Sequence, residues 1–137
     1  MKKEMKIITI KGGKNSGKTT TIRNIYQKLT VMKDSKILEF IPAGFDKTDF
    51  DAIVSVQNHI IVIRSYGDGI SYVRTGLQYS KSKQAEIFVN AWNSDLDKNY
   101  NILDELPRAE IHNNPIQICE PLRTQWMNFS NLIASKL

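Results

Sequence analysis

Eight residues near the start of the chain, Gly12-Gly13-Lys14-Asn15-Ser16-Gly17-Lys18-Thr19, have the types and spacing needed to hold a chain of phosphates. They fit the pattern G-x-x-x-x-G-K-[ST]. Gly12 and Gly17 allow backbone angles that a Cβ forbids. The N–H groups between them can then converge on phosphate oxygens as an anion nest. Lys18 brings a positive charge to the outer phosphates, and the Thr19 hydroxyl is the expected Mg²⁺ ligand. Thr20 and Thr21 continue the first turn of the following helix, within reach of an inner phosphate. A helix that starts near Lys18 adds its free N–H donors and the positive end of its dipole.

Such a loop works only between a strand and a helix. Residues 6–10 form a short β-branched run that predicts a strand. After the loop, Ile22, Ile25, Tyr26, Leu29 and Met32 recur on one face of a helix spanning about 18–32. Residues 36–41 predict a second strand, stopped by Pro42-Ala43-Gly44. Residues 51–64 predict an antiparallel hairpin: Ala52, Val54 and Val56 alternate, Gln57-Asn58 turns, and residues 60–63 form a central apolar strand. A helix with Ile70, Val73 and Leu77 inward follows the Tyr66-Gly67-Asp68-Gly69 turn, although Gly76 counts against it. Residues 86–90 predict a further strand. Ser94 then offers an N-cap for a short helix with Leu96, Tyr100 and Leu103. Ile111, Ile116 and Ile118 suggest a last strand, and Glu120-Pro121 opens a final helix with Leu122, Trp126, Phe129 and Ile133 as its stripe. Alternating strands and helices imply an α/β protein.

On these residues the chain resembles the P-loop NTPase superfamily. The likeness is specific over residues 6–32 and extends to the rest only through element order. It implies a three-layer sandwich with a mostly parallel central sheet and one antiparallel hairpin, with the ligand at the C-terminal edge of the sheet. It also implies ATP or another NTP such as GTP as the bound nucleotide, with Mg²⁺, held by Gly12, Gly13, Lys14, Asn15, Ser16, Gly17, Lys18, Thr19 and Thr20. Lys11-Gly12-Gly13 is similar to the opening of the deviant loops of chromosome-partitioning ATPases. Those carry a lysine directly after the first glycine, where this chain has Gly13, so that subfamily is not carried over. Ser65-Tyr66-Gly67-Asp68 after a hairpin resembles a turn in small uncharacterised bacterial P-loop proteins, a likeness that supplies no activity.

Phosphoryl transfer calls for an acid as well, usually at the end of a neighbouring strand. The strand 60–63 runs into Arg64, and the strand 87–89 runs into Asn90. Asp68 is the substitute the sequence offers, as part of the Mg²⁺ shell with Thr19 or as a substrate contact. It reads equally as a turn aspartate that caps the next helix. Asp46, Asp49 and Asp51 read as solvated loop residues. Arg64, Arg74 and Lys81 could lend charge to a transition state, but read more simply as surface cations. Trp92 could stack on a base, though an apolar neighbour is the plainer partner. His59 and His112 have no partner at metal-ligand spacing.

Two functional readings follow. In the first, Lys18 and Asp68 are catalytic in a small Mg²⁺-dependent NTPase or kinase-like phosphotransferase. In the second, a nucleotide-binding module without efficient turnover passes its state to a protein partner or to a second copy of the chain. No Asn-Lys-x-Asp signature selects guanine, and no arginine-rich lid is visible.

The bulk numbers fit one nucleotide-binding domain over residues 1–137. Hydrophobic residues make up 41% and charged residues 24%, an ordinary globular composition. The net charge of +5 suits a phosphate-bearing partner, but no aromatic–basic interleaving points to nucleic acid. Cys119 is the one cysteine, so no internal disulfide can form. The apolar run near the start is too short for a signal peptide or a membrane span, so a cytoplasmic protein is expected.

Overall fold

The computed structural model describes residues 5–13, 17–45, 47–67, 69–93 and 116–119. In chain order the elements are β1 (Lys6–Gly12), α1 (Lys18–Thr30), β2 (Ser35–Ala43), β3 (Asp49–Val56), β4 (His59–Arg64), α2 (Ile70–Ser82), β5 (Ile87–Asn93) and β6 (Ile116–Cys119). The strands form one six-stranded sheet in the order β2-β3-β4-β5-β1-β6. The expected helix after Ser94, the expected helix after Glu120, and His112 all lie outside the described residues.

Short turns and long crossovers decide the strand directions. Gln57 and Asn58 both take left-handed backbone angles, with φ of 52° and 68°, and close the β3–β4 hairpin in two residues. Such turns match the natural twist of an antiparallel pair. β2 and β3 also pair antiparallel, with Ser35 opposite Val56 and Ala43 opposite Asp49. The crossover through α2 instead sets β5 parallel to β4, and β1 lies parallel to both β5 and β6.

Side-chain alternation sorts the core into two layers. Ile8, Ile10, Val54, Ile61, Ile63 and Val89 face α1, which meets them with Ile22, Ile25 and Leu29. Ile7, Val62, Phe88 and Trp92 point the other way and pack under Val73 and Leu77 of α2. Ile7, Ile8 and Ile10 are all buried because β1 has a strand on each side and a core layer on each face. Gly76 is part of this packing. A Cβ there would lie 2.6 Å from the Phe88 ring, so the missing side chain lets α2 settle on β5.

These facts correct the expected three-layer sandwich about a mostly parallel sheet with one antiparallel hairpin. The sheet is mixed. β2, β3 and β4 form a continuous antiparallel meander, because two short turns replace the helical crossovers that parallel neighbours require. Two helices are present among the described residues, one on each face, and strands outweigh helix.

Candidate phosphate and metal site

β1, β4 and β5 all end at one edge of the sheet. β3 begins there because it runs antiparallel to β4. β1 extends into the glycine motif, and Gly12 is the register partner of Asn93. Lys14, Asn15 and Ser16 lie outside the described residues, as does Asp68. Gly17 sits at the N-cap of α1 with φ 99° and ψ 19°, a left-handed conformation in which glycine is free of strain. α1 starts with no side-chain cap and no acidic residue in its first turn, which leaves its dipole uncompensated by its own residues.

Lys18 reaches back to the end of β1, where its Nζ donates to the Gly13 carbonyl at 2.6 Å. Thr20 is exposed. Thr21 is buried, with its hydroxyl donating to the Gly17 carbonyl at 2.8 Å. The Thr19 hydroxyl donates to Oδ1 of Asp49 at 3.2 Å. The same carboxylate oxygen accepts the Ser65 hydroxyl at 2.9 Å. Ser65 in turn accepts the Phe50 N–H at 2.9 Å, and its own N–H reaches the Phe50 carbonyl at 3.1 Å. Asp49 is therefore fixed between the first turn of α1 and the end of β4. Arg23 ties α1 to the start of β3 as well: its guanidinium donates to the Thr48 carbonyl and lies 5.2 Å from the centre of the Phe50 ring.

Asp49 thus brings a carboxylate to the Thr19 hydroxyl at the sheet edge where no strand end provides one. It was read as a solvated loop residue because the strand was expected to begin at 51. The observed start at 49 places the carboxylate at the same edge as the glycine loop. Asn90 is not a strand end either. β5 continues to Asn93, and Asn90 is buried in mid-strand, where its Oδ1 accepts the Thr9 hydroxyl at 2.7 Å. Trp92 is fully buried in the α2 layer and packs as core. His59 pairs with Glu86 at the opposite edge. No group of three or more His, Cys, Asp or Glu suited to a metal occurs among the described residues.

Beside this site Arg64 is a buried hub. Its Nε donates to Oδ1 of Asp51 at 2.6 Å, and its Nη1 donates to the Tyr72 carbonyl at 2.9 Å and to the Thr75 hydroxyl at 2.7 Å. Tyr66 donates to the other Asp51 oxygen at 2.6 Å, and the guanidinium lies 4.8 Å from the centre of its ring. These contacts clamp α2 onto the meander. They assign Arg64 to structure rather than to free surface charge.

Burial, and then the hydrogen bond to the Asp51 carboxylate, favour the neutral phenol of Tyr66 and push its pKa from 10.0 up to about 12. A raised pKa means that this contribution to stability is complete below pH 10. It is lost as the pH rises from 10 through 12, because the unfolded phenol ionises first. Tyr66→Phe should therefore lose less stability than the parent over that window in alkaline urea titrations. Identical slopes would refute the coupling.

Comparison with protein-family models, curated proteins and solved structures finds no match. No helix among the described residues is long and apolar enough to cross a membrane.

Proposed function

We propose that this chain binds a nucleoside triphosphate with Mg²⁺ at the start of α1, as a small NTPase or kinase-like phosphotransferase. The observation that carries the reading is the meeting of Thr19 and Asp49. The glycine motif assigns a metal to the Thr19 hydroxyl, and an independent segment delivers a carboxylate to that hydroxyl. A hydroxyl and a carboxylate are hard oxygen donors suited to Mg²⁺, which keeps several waters and takes one or two carboxylates. When bound, the ion would draw negative charge off the outer phosphates. The residues of the chain do the rest. The loop amides and the N-terminus of α1 orient the phosphates, and Ser65 and Phe50 hold Asp49 in place. The Lys18 ammonium exchanges the Gly13 carbonyl for a phosphate oxygen. Asp68 stays a candidate on sequence grounds. A cytoplasmic location goes with this reading, as nucleoside triphosphates are abundant there, and the lone Cys119 suits a reducing compartment.

The test is nucleotide-induced thermal stabilisation with ATP and GTP, with and without Mg²⁺. Lys18→Ala should cost at least about tenfold in affinity, a loss of about 1.4 kcal/mol, with the fold intact. Asp49→Asn should remove the Mg²⁺-dependent part alone. Unchanged stabilisation in Lys18→Ala sinks the proposal. Single-turnover phosphate release then decides between the enzyme and a nucleotide-sensing module without turnover, since the module would bind but release nothing.

A further inference from the structure

Among the described residues β2 is the outermost strand on its side of the sheet, so its outer N–H and C=O groups face no other described strand. It also carries four of the seven large apolar side chains left exposed among the described residues. Ile37, Leu38, Phe40 and Ile41 are 53%, 54%, 41% and 46% exposed. An edge this long and this apolar is a template for another strand. Pro42 lacks an N–H, which limits outward pairing to residues 35–41.

The β-bulge in this strand determines how its charges are displayed. Ile37 pairs with Val54 and Glu39 pairs with Ile53, which leaves Leu38 unmatched. Lys36 lies opposite Ser55 and Glu39 opposite Ile53. Ser55 and Ile53 are two apart on β3 and so share a face. Lys36 and Glu39, three apart, therefore share that face too. Ser35 and Phe40, opposite Val56 and Ala52, share the other face by the same argument.

We infer that β2 is the interface through which two copies of this chain pair, antiparallel, about a two-fold axis at the Ile37–Leu38 step. In this register Lys36 lies opposite the partner's Glu39, and Glu39 lies opposite the partner's Lys36. Ser35 lies opposite the partner's Phe40. The centre is Ile37 and Leu38 against the partner's Leu38 and Ile37. The Lys36–Glu39 and Ser35–Phe40 pairs then each lie on a common face of the joined sheet, which is the condition for antiparallel pairing. Without the bulge, Lys36 and Glu39 would point to opposite faces and could not meet. Opposite charges directly across a strand pair stabilise it, and like charges destabilise it. The pairing uses no part of the phosphate site and is independent of nucleotide.

Sedimentation equilibrium from micromolar to near-millimolar protein tests this, with circular dichroism to confirm that each variant folds. The parent chain should dimerise. Lys36→Glu faces two carboxylates across the axis and Glu39→Lys faces two ammonium groups, and each should weaken the dimer at least tenfold. An equimolar mixture of these two variants should recover it as a heterodimer. The double variant Lys36→Glu/Glu39→Lys should recover it as a homodimer and serves if either single variant fails to fold. A parent chain that stays monomeric, a dimer indifferent to the single changes, or failure of both the mixture and the double variant to restore association would overturn the inference.

Discussion

Gly67→Ala is expected to destabilise the protein by about 3 kcal/mol or more, at the upper end of what overpacking costs. A Cβ on Gly67 would lie 1.7 Å from the Ala91 carbonyl oxygen and 2.6 Å from its carbon. Both are backbone atoms of a buried strand, and no rotamer change relieves the clash. Either the segment after β4 or β5 itself must move, and the Asn93 N–H bond to the Gly67 carbonyl, 3.2 Å long, goes with it. Asn93 is the register partner of Gly12, so the disturbance reaches the mouth of the glycine loop. Chemical denaturation should show a lowered midpoint with an unchanged slope. Gly69→Ala is the control. Its nearest heavy atom would be a Tyr72 ring carbon at an ordinary 3.6 Å, so only the poorer N-cap that Ala makes at the start of α2 is felt, a cost of about 1 kcal/mol. Equal effects at the two positions would refute the close-approach argument.

Asp51→Ala should cost about 3 kcal/mol, since breaking a buried pair leaves one charge without its partner. Arg64 and Asp51 face each other across the hairpin as register partners, with side chains 11% and 15% exposed. Without the carboxylate, Arg64 keeps only neutral acceptors on α2, and Tyr66 loses its acceptor. Arg64→Met together with Asp51→Ala removes both charges. The double variant should then be at least about 1 kcal/mol more stable than the sum of the single effects implies. Strict additivity in urea unfolding would show that the pair contributes no coupling.

How much of this was legible in the sequence follows from how local each signal is. The strand–glycine–helix unit at 6–30 was readable because short-range periodicity and φ-demanding glycines define it. The hairpin was readable from alternation and from Gln57-Asn58. The sheet order was not, because nothing within a strand states that β2 joins the meander's outer edge while β5 and β6 flank β1. That gap turned the expected mostly parallel sandwich into a mixed sheet. Asp49 was missed for a related reason. Its contact with Thr19 depends on β3 starting two residues earlier than its alternation shows, and on β3 running back toward the glycine motif. One cue was available: with the turn at Gln57-Asn58, counting back along the hairpin sets Asp51 opposite Arg64 and carries Asp49 past the end of β4. Gly76 was counted against a helix, yet it serves that helix by admitting the Phe88 ring.

The placement of β1 governs the order of assembly during synthesis. Its neighbours are β5 and β6, so among the described strands the earliest in the chain pairs with the two latest. Contacts so distant along the chain close slowly. The glycine motif is thus translated well before β5 but acquires a rigid floor only after that strand has emerged at Ile87–Asn93. Until then a nascent chain carries a β-branched segment with both edges open, a state in which association with other unfinished chains competes with folding.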